Sequence, residues 1–248
     1  MPNTILIGAP IDEGQRRPGC VMGPTAYRVA GLAHAIRELG HGVEDWGDLV
    51  LPELKDVSCP NPAVHMLPQV LGWTEALADK VDDALSMDGL PIILGGDHSL
   101  ALGSVAGAAA FAARADRPLF LLWLDAHSDF HTPLTTTSGN LHGTPVAYIA
   151  GREGFEAFPP FPAVIPAERI CLYGIRSVDP AEHAALLKHE TLTADEVHRL
   201  MRGERLTKPT VSELLASEAR KNAREDAADK GGVDIYPDLP PGALPRPA

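Results

Sequence analysis

Cysteine is scarce. The chain has 3, Cys20, Cys59 and Cys171, an odd number at unrelated spacings. That argues against a disulfide-stapled scaffold and fits a reducing compartment, so the expected location is the cytoplasm. No apolar run approaches the roughly 20 residues that a spanning helix needs. The opening Met1-Pro2-Asn3-Thr4 has no basic segment leading into an apolar stretch, so no signal peptide is expected. Positive charge is also short. Lysine and arginine number 21 against 33 acidic residues, a formal net charge of −12. This balance argues against a nucleic-acid partner and against an anionic membrane partner. An internal repeat is lacking too.

What remains is ordinary for a globular protein: 248 residues, 45% hydrophobic and 22% charged. That length is ample for a sizeable core. Short apolar runs at residues 4–7, 42–49, 91–94, 119–124 and 170–174 read as strands. Longer helical patterns separate them, at 24–40, 70–85 and 99–113. Strands apolar on both faces, alternating with helices, imply a parallel sheet covered on both sides, the three-layer α-β-α class of α/β fold. Residues 1–205 form this α/β part. Residues 206–248 differ, with a charged, alanine-rich helical pattern to Lys230 followed by a proline- and glycine-rich tail. The supply of strands runs short near residue 205.

The chemistry concentrates at strand ends, where open α/β sheets gather ligands. Asp125-Ala126-His127-Ser128-Asp129 follows the most apolar strand. If that segment stays extended, Asp125, His127 and Asp129 point the same way. Gly95-Gly96-Asp97-His98-Ser99 brings a second histidine to the end of another strand. Carboxylates with some imidazole, and no cysteine nearby, suit Mn²⁺ better than a thiolate-preferring metal. The blander alternatives are that Asp125 caps a helix and that His98 is a core histidine. The loop Thr132-Pro133-Leu134-Thr135-Thr136-Thr137-Ser138-Gly139-Asn140-Leu141-His142-Gly143 offers groups apt for a substrate carboxylate, or is a solvated surface loop.

These segments, with Gly8-Ala9-Pro10 and Gly23-Pro24, resemble the signature segments of arginases in order and spacing, over roughly residues 3 to 200. The run ending in Ser138-Gly139-Asn140-Leu141-His142-Gly143 is more similar to arginases than to agmatinases. The resemblance implies an arginase-like fold and two Mn²⁺ ions. It implies hydrolysis of L-arginine to L-ornithine and urea by a manganese-activated hydroxide. His98, Asp125, His127 and Asp129 would be metal ligands, with Asp125 bridging. Asp129 would also orient the attacking hydroxide, and His142 would shuttle protons. Ser138 and Asn140 would hold the α-carboxylate, with His131 where arginases typically have asparagine. Asp179 and Glu182 would hold the α-amino group, with Ser177 in place of a common aspartate. A homotrimer or hexamer is the implied assembly.

One departure is plain. Arginases carry a later strand ending in Asp-x-Asp that supplies further metal ligands, and no such pair follows His183; Asp226, Asp229, Asp234 and Asp238 do not restore it. The C-terminal strands are therefore read as truncated or divergent. Three alternatives to an active arginase stay open: a truncated, inactive homologue, a non-catalytic subunit, and a ureohydrolase of another guanidino substrate.

Overall fold

The computed structural model describes residues 3–189. The expected helix at 206–230, the tail at 231–248 and the boundary between 205 and 206 lie outside the described residues. Among the described residues, no helix is long and apolar enough to cross a membrane.

Strand β1 (Thr4–Ala9) is buried at every position. It lies between β2 (Val43–Asp48) and β3 (Leu90–Gly95), and both pairings are parallel. Burial of consecutive residues means that both faces of β1 are covered. Ile5, Ile7 and Ala9 pack into one cluster with Trp73, Leu77 and Val81 of helix α3 (Leu67–Ser86). Strands β4 (Leu121–Leu124) and β5 (Ile170–Tyr173) form a second parallel ladder. The parallel α/β class expected from the sequence is thus present, with hydrogen bonding divided between two ladders. Strand β4 departs from the expectation of cover on both faces, because Leu122 and Leu124 are 57% and 69% exposed while Trp123 is buried.

The helical stripe expected at 24–40 is broken in two. Helix α1 (Gly23–Val29) carries Pro24 in its first turn, and α2 (Leu32–Glu38) follows a left-handed residue, Gly31, at φ 86°. A side chain there would be strained, so glycine sets the break. Helix α3 starts earlier than its apolar pattern, because Pro68 occupies the first turn, where a missing N–H costs nothing. Helix α4 (Leu100–Arg114) packs on α3 through Gly103 and Gly107. A Cβ on Gly107 would stand 2.3 Å from the Ala78 carbonyl oxygen, so the two helices approach more closely than any larger residue permits. Helices α5 (Pro145–Ile149) and α6 (Pro180–His189) complete the described elements. Val146, Ala147, Ile149 and Ala185 join Trp123, Phe130 and Ile170 in a core beneath the ends of β4 and β5.

Gly107→Ala decides between two opposing effects. Alanine favours an α-helix over glycine by about 1 kcal/mol. Overpacking against a carbonyl that cannot rotate away costs about 1–3 kcal/mol. Urea denaturation is expected to show the variant less stable than the parent.

Candidate metal centre

The metal-ligand candidates come from two strand ends that converge. After β3 the chain turns through Gly96 and Asp97 into α4. Asp97 is buried; its Oδ2 accepts the Gly14 N–H at 2.8 Å and its Oδ1 accepts the Ser99 N–H at 2.8 Å. This fastens the turn that presents His98. The His98 ring stacks on Trp123 of β4, with centroids 4.5 Å apart and planes inclined by 20°. The indole therefore fixes the plane of the imidazole. His98 Nδ1 then lies 2.9 Å from Asp125 Oδ2 and 2.9 Å from Asp129 Oδ2.

One N–H cannot serve both carboxylates. Asp129 Oδ2 is buried and completes no directional hydrogen bond despite its closeness to His98. Ligand atoms of His98, Asp125 and Asp129 all lie within 4.8 Å of one another. A buried, under-satisfied carboxylate oxygen beside a second carboxylate and an imidazole nitrogen is a fitting donor set for a divalent cation such as Mn²⁺.

Protonation answers the same electrostatic demand. Burial alone would lower the His98 pKa, but the close approach and charge of Asp129, with the charges of Asp125 and Asp97, raise it above the ordinary histidine value. Burial pushes Asp125 upward, but the His127 N–H, the charge of His98 and the Ala126 N–H hold its carboxyl below the usual range.

Asp129 itself sits at φ 46°, a left-handed conformation rare for a residue with a side chain. That turn ends the extended alternation expected for residues 125–129. His127 stands apart from the converging trio. Its side chain is 61% exposed, and its Nδ1 is 3.4 Å from Asp125 Oδ1. It still lines the same cavity of about 470 Å³, together with His98, Asp125, Asp129, His131, His142, Gly143, Ser177, Asp179 and Glu182.

His142 enters from a short 3-10 turn, Leu141–Gly143, whose position is fixed by donation of the His142 N–H to the Gly14 carbonyl at 3.0 Å. His131 Nε2 lies 2.5 Å from Asp179 Oδ2, and its Nδ1 is 3.2 Å from Thr135 Oγ1. The Glu182 N–H, opposed by burial and assisted by His131, holds the Asp179 carboxyl below its ordinary range. His131, Asp179 and Glu182 make a second convergent group within 4.8 Å. Ser138 and Asn140 are not among the residues lining the cavity. Ser138 Oγ accepts the Asn140 N–H at 3.2 Å, and Asn140 Oδ1 is buried with no hydrogen-bond partner. Asp97 and Trp123 drew no separate role in the sequence; Asp97 lies inside the quoted His98 segment, whereas Trp123 reads as one more apolar residue of a strand.

The sequence profile described as the arginase family matches residues 2–215. The chain belongs to the arginase family. The arginase of Brucella melitensis biotype 1 is 51% identical over 191 residues, covering 77% of this chain and 62% of its own length. This chain thus spans less than two thirds of that relative. The native arginase of Bacillus caldovelox superposes with a TM-score of 0.69 at 34% identity, covering 81% of this chain and 67% of that one. The Entamoeba histolytica arginase, solved in complex with L-ornithine, gives a TM-score of 0.67 at 27% identity over 80% of this chain and 68% of its own. The fold is therefore arginase-like α/β.

The raised His98 pKa has a definite sign. In the metal-free protein this ion pair contributes stability that is fully present below the unfolded histidine pKa and is lost as pH rises through the folded one. An NMR titration of the His98 ring in metal-free protein is expected to give a pKa above the ordinary value, and Asp129→Asn is expected to lower it.

Proposed function

We propose that this member of the arginase family is a Mn²⁺-dependent hydrolase that converts L-arginine to L-ornithine and urea. The observation that carries this reading is the meeting of His98, Asp125 and Asp129 within 4.8 Å, in a cavity that His142 also lines. His98, Asp125 and Asp129 would hold one Mn²⁺, and Asp125 with His127 would hold a second. Manganese held there would supply a Lewis acid that lowers the pKa of water toward neutrality.

The protein's own groups account for the rest. The Asp129 carboxylate would also orient the attacking water toward the guanidinium carbon. Water adds to that carbon, and the bond to the side-chain nitrogen of arginine breaks. His142 transfers a proton to the departing amine, a task suited to imidazole at neutral pH. Asp179, with His131 beside it, meets the amino-acid end of the substrate, and Ser138 and Asn140, outside the cavity lining, would supply hydrogen bonds to its carboxylate only if their loop moves toward it. The Entamoeba relative, solved with L-ornithine, supports a product of this kind. The scarce, unpaired cysteine supports a cytoplasmic enzyme, and the resemblance of the signature segments implies a homotrimer or hexamer.

A second reading is a catalytically silent family member, whether a truncated homologue or a non-catalytic subunit. It is favoured by the lack of an Asp-x-Asp pair after His183 and by the exposure of His127. A lost anionic bridge would leave two cations repelling each other. Urea release from L-arginine after Mn²⁺ loading separates the two, with agmatine as the substrate control. The enzyme reading expects urea with L-arginine, and a loss of at least about 100-fold in Asp129→Ala. No urea above that variant's level, with little Mn²⁺ retained, establishes the silent reading.

A further inference from the structure

Glu182 stands on α6, yet its carboxylate reaches the metal-ligand loop. The residue is buried, 8% exposed. Oε1 accepts the Ser128 hydroxyl at 2.7 Å and the Phe130 N–H at 3.0 Å. Both chain neighbours of Asp129 therefore hang on one oxygen atom. Oε2 accepts the Asp179 N–H at 3.3 Å, and the Glu182 N–H donates to Asp179 Oδ1 at 2.9 Å. This reciprocal pair is a capping box that seats the first turn of α6.

The loop is gripped from other sides as well. The Asp129 carbonyl accepts the N–H groups of Val146 and Ala147 at 3.1 and 3.3 Å. The Phe130 carbonyl accepts a hydrogen bond from the Arg152 guanidinium, which also lies 4.8 Å from the centroid of the Phe130 ring. Between these anchors Asp129 is held at φ 46°. A left-handed non-glycine residue persists only where its surroundings over-determine it. Oε1 takes both of these donors, while Oε2, with one long hydrogen bond, keeps acceptor capacity on the cavity side.

We infer that Glu182 is a positioning residue: by bridging Ser128 and Phe130 it holds the left-handed turn that aims the Asp129 carboxylate into the metal centre. The inference rests on the metal-binding reading above, but the turn itself can be observed without metal. Partners behind metal ligands of this kind orient the ligands and tune affinity.

Hydrogen exchange of the full-length, metal-free chain reads the turn, and Mn²⁺ titration followed by electron paramagnetic resonance reads affinity. Glu182→Ala is expected to speed exchange across residues 126–131 while protection in α3 and α4 stays unchanged. It is expected to weaken Mn²⁺ binding by about 10- to 100-fold. Glu182→Gln keeps a carbonyl acceptor opposite Ser128 and Phe130, and is expected to stay within about threefold of the parent, the scale of one modest hydrogen bond. Ser128→Ala removes a single hydroxyl and is expected to fall between them; with Glu182→Gln it decides the matter if Glu182→Ala does not fold. The inference is overturned if Glu182→Ala matches the parent in exchange and Mn²⁺ affinity and raises only the KM for L-arginine. It is equally overturned if Glu182→Gln is as damaging as Glu182→Ala. Should the parent chain retain no Mn²⁺, the functional reading fails, and the exchange comparison alone decides the role of Glu182.

Discussion

Asp125 and Asp129 each approach His98 Nδ1 to 2.9 Å, and Asp129 does so while buried. Two negative charges about 4 Å apart repel by roughly 4 kcal/mol at the effective dielectric of a protein near its surface. The fold must either supply a cation or prevent the carboxylates from separating, and it does both. The carboxylates raise the basicity of His98, which favours a cationic ring between them. Asp97, Trp123 and Glu182 keep the groups in place: one fastens the turn before His98, one fixes the ring plane, and one braces the loop around Asp129. The stability these braces supply is used to hold an arrangement that the carboxylates alone would disrupt.

Much of this was legible in the sequence, for reasons that can be named. The strand runs ending at Gly8 and Gly95 were readable because buried parallel strands are continuously apolar and glycine punctuates them. The convergence of His98, Asp125 and Asp129 was readable because the carboxyl ends of parallel strands are where an open α/β fold gathers its ligands. The position of His127 was not, since a strict alternation assumes extended backbone and Asp129 adopts φ 46° instead. The break at Gly31 was hidden because the apolar stripe runs through it without changing phase. The bonds from Glu182 to Ser128 and Phe130 join residues 54 and 52 positions apart, and such side-chain bonds leave no local pattern to read.

The two halves of the site differ in how they are supported. The trio of His98, Asp125 and Asp129 is held by a stacked ring, a fastened turn and a braced loop. His127 has a weaker setting: 61% exposed, tied through its backbone N–H to Asp125 and by an isolated parallel bridge to Ser177. Among the described residues, the ordered side of the centre is therefore the side built by β3 and β4 together. Ser138 and Asn140, on the polar loop, bond mainly within that loop, so their reach toward a substrate depends on the loop rather than on the sheet.

The brace through Glu182 also has a consequence in time. During synthesis the chain emerges from its amino end, so His98, Asp125 and Asp129 are all made well before Glu182. A nascent chain that has only just passed Phe130 holds every member of the trio but not the Glu182 carboxylate that braces the turn. The cradle becomes fully shaped only once α6 has begun to form. A cation meeting the chain earlier would find the site unshaped, so any tight capture of metal would follow the formation of α6.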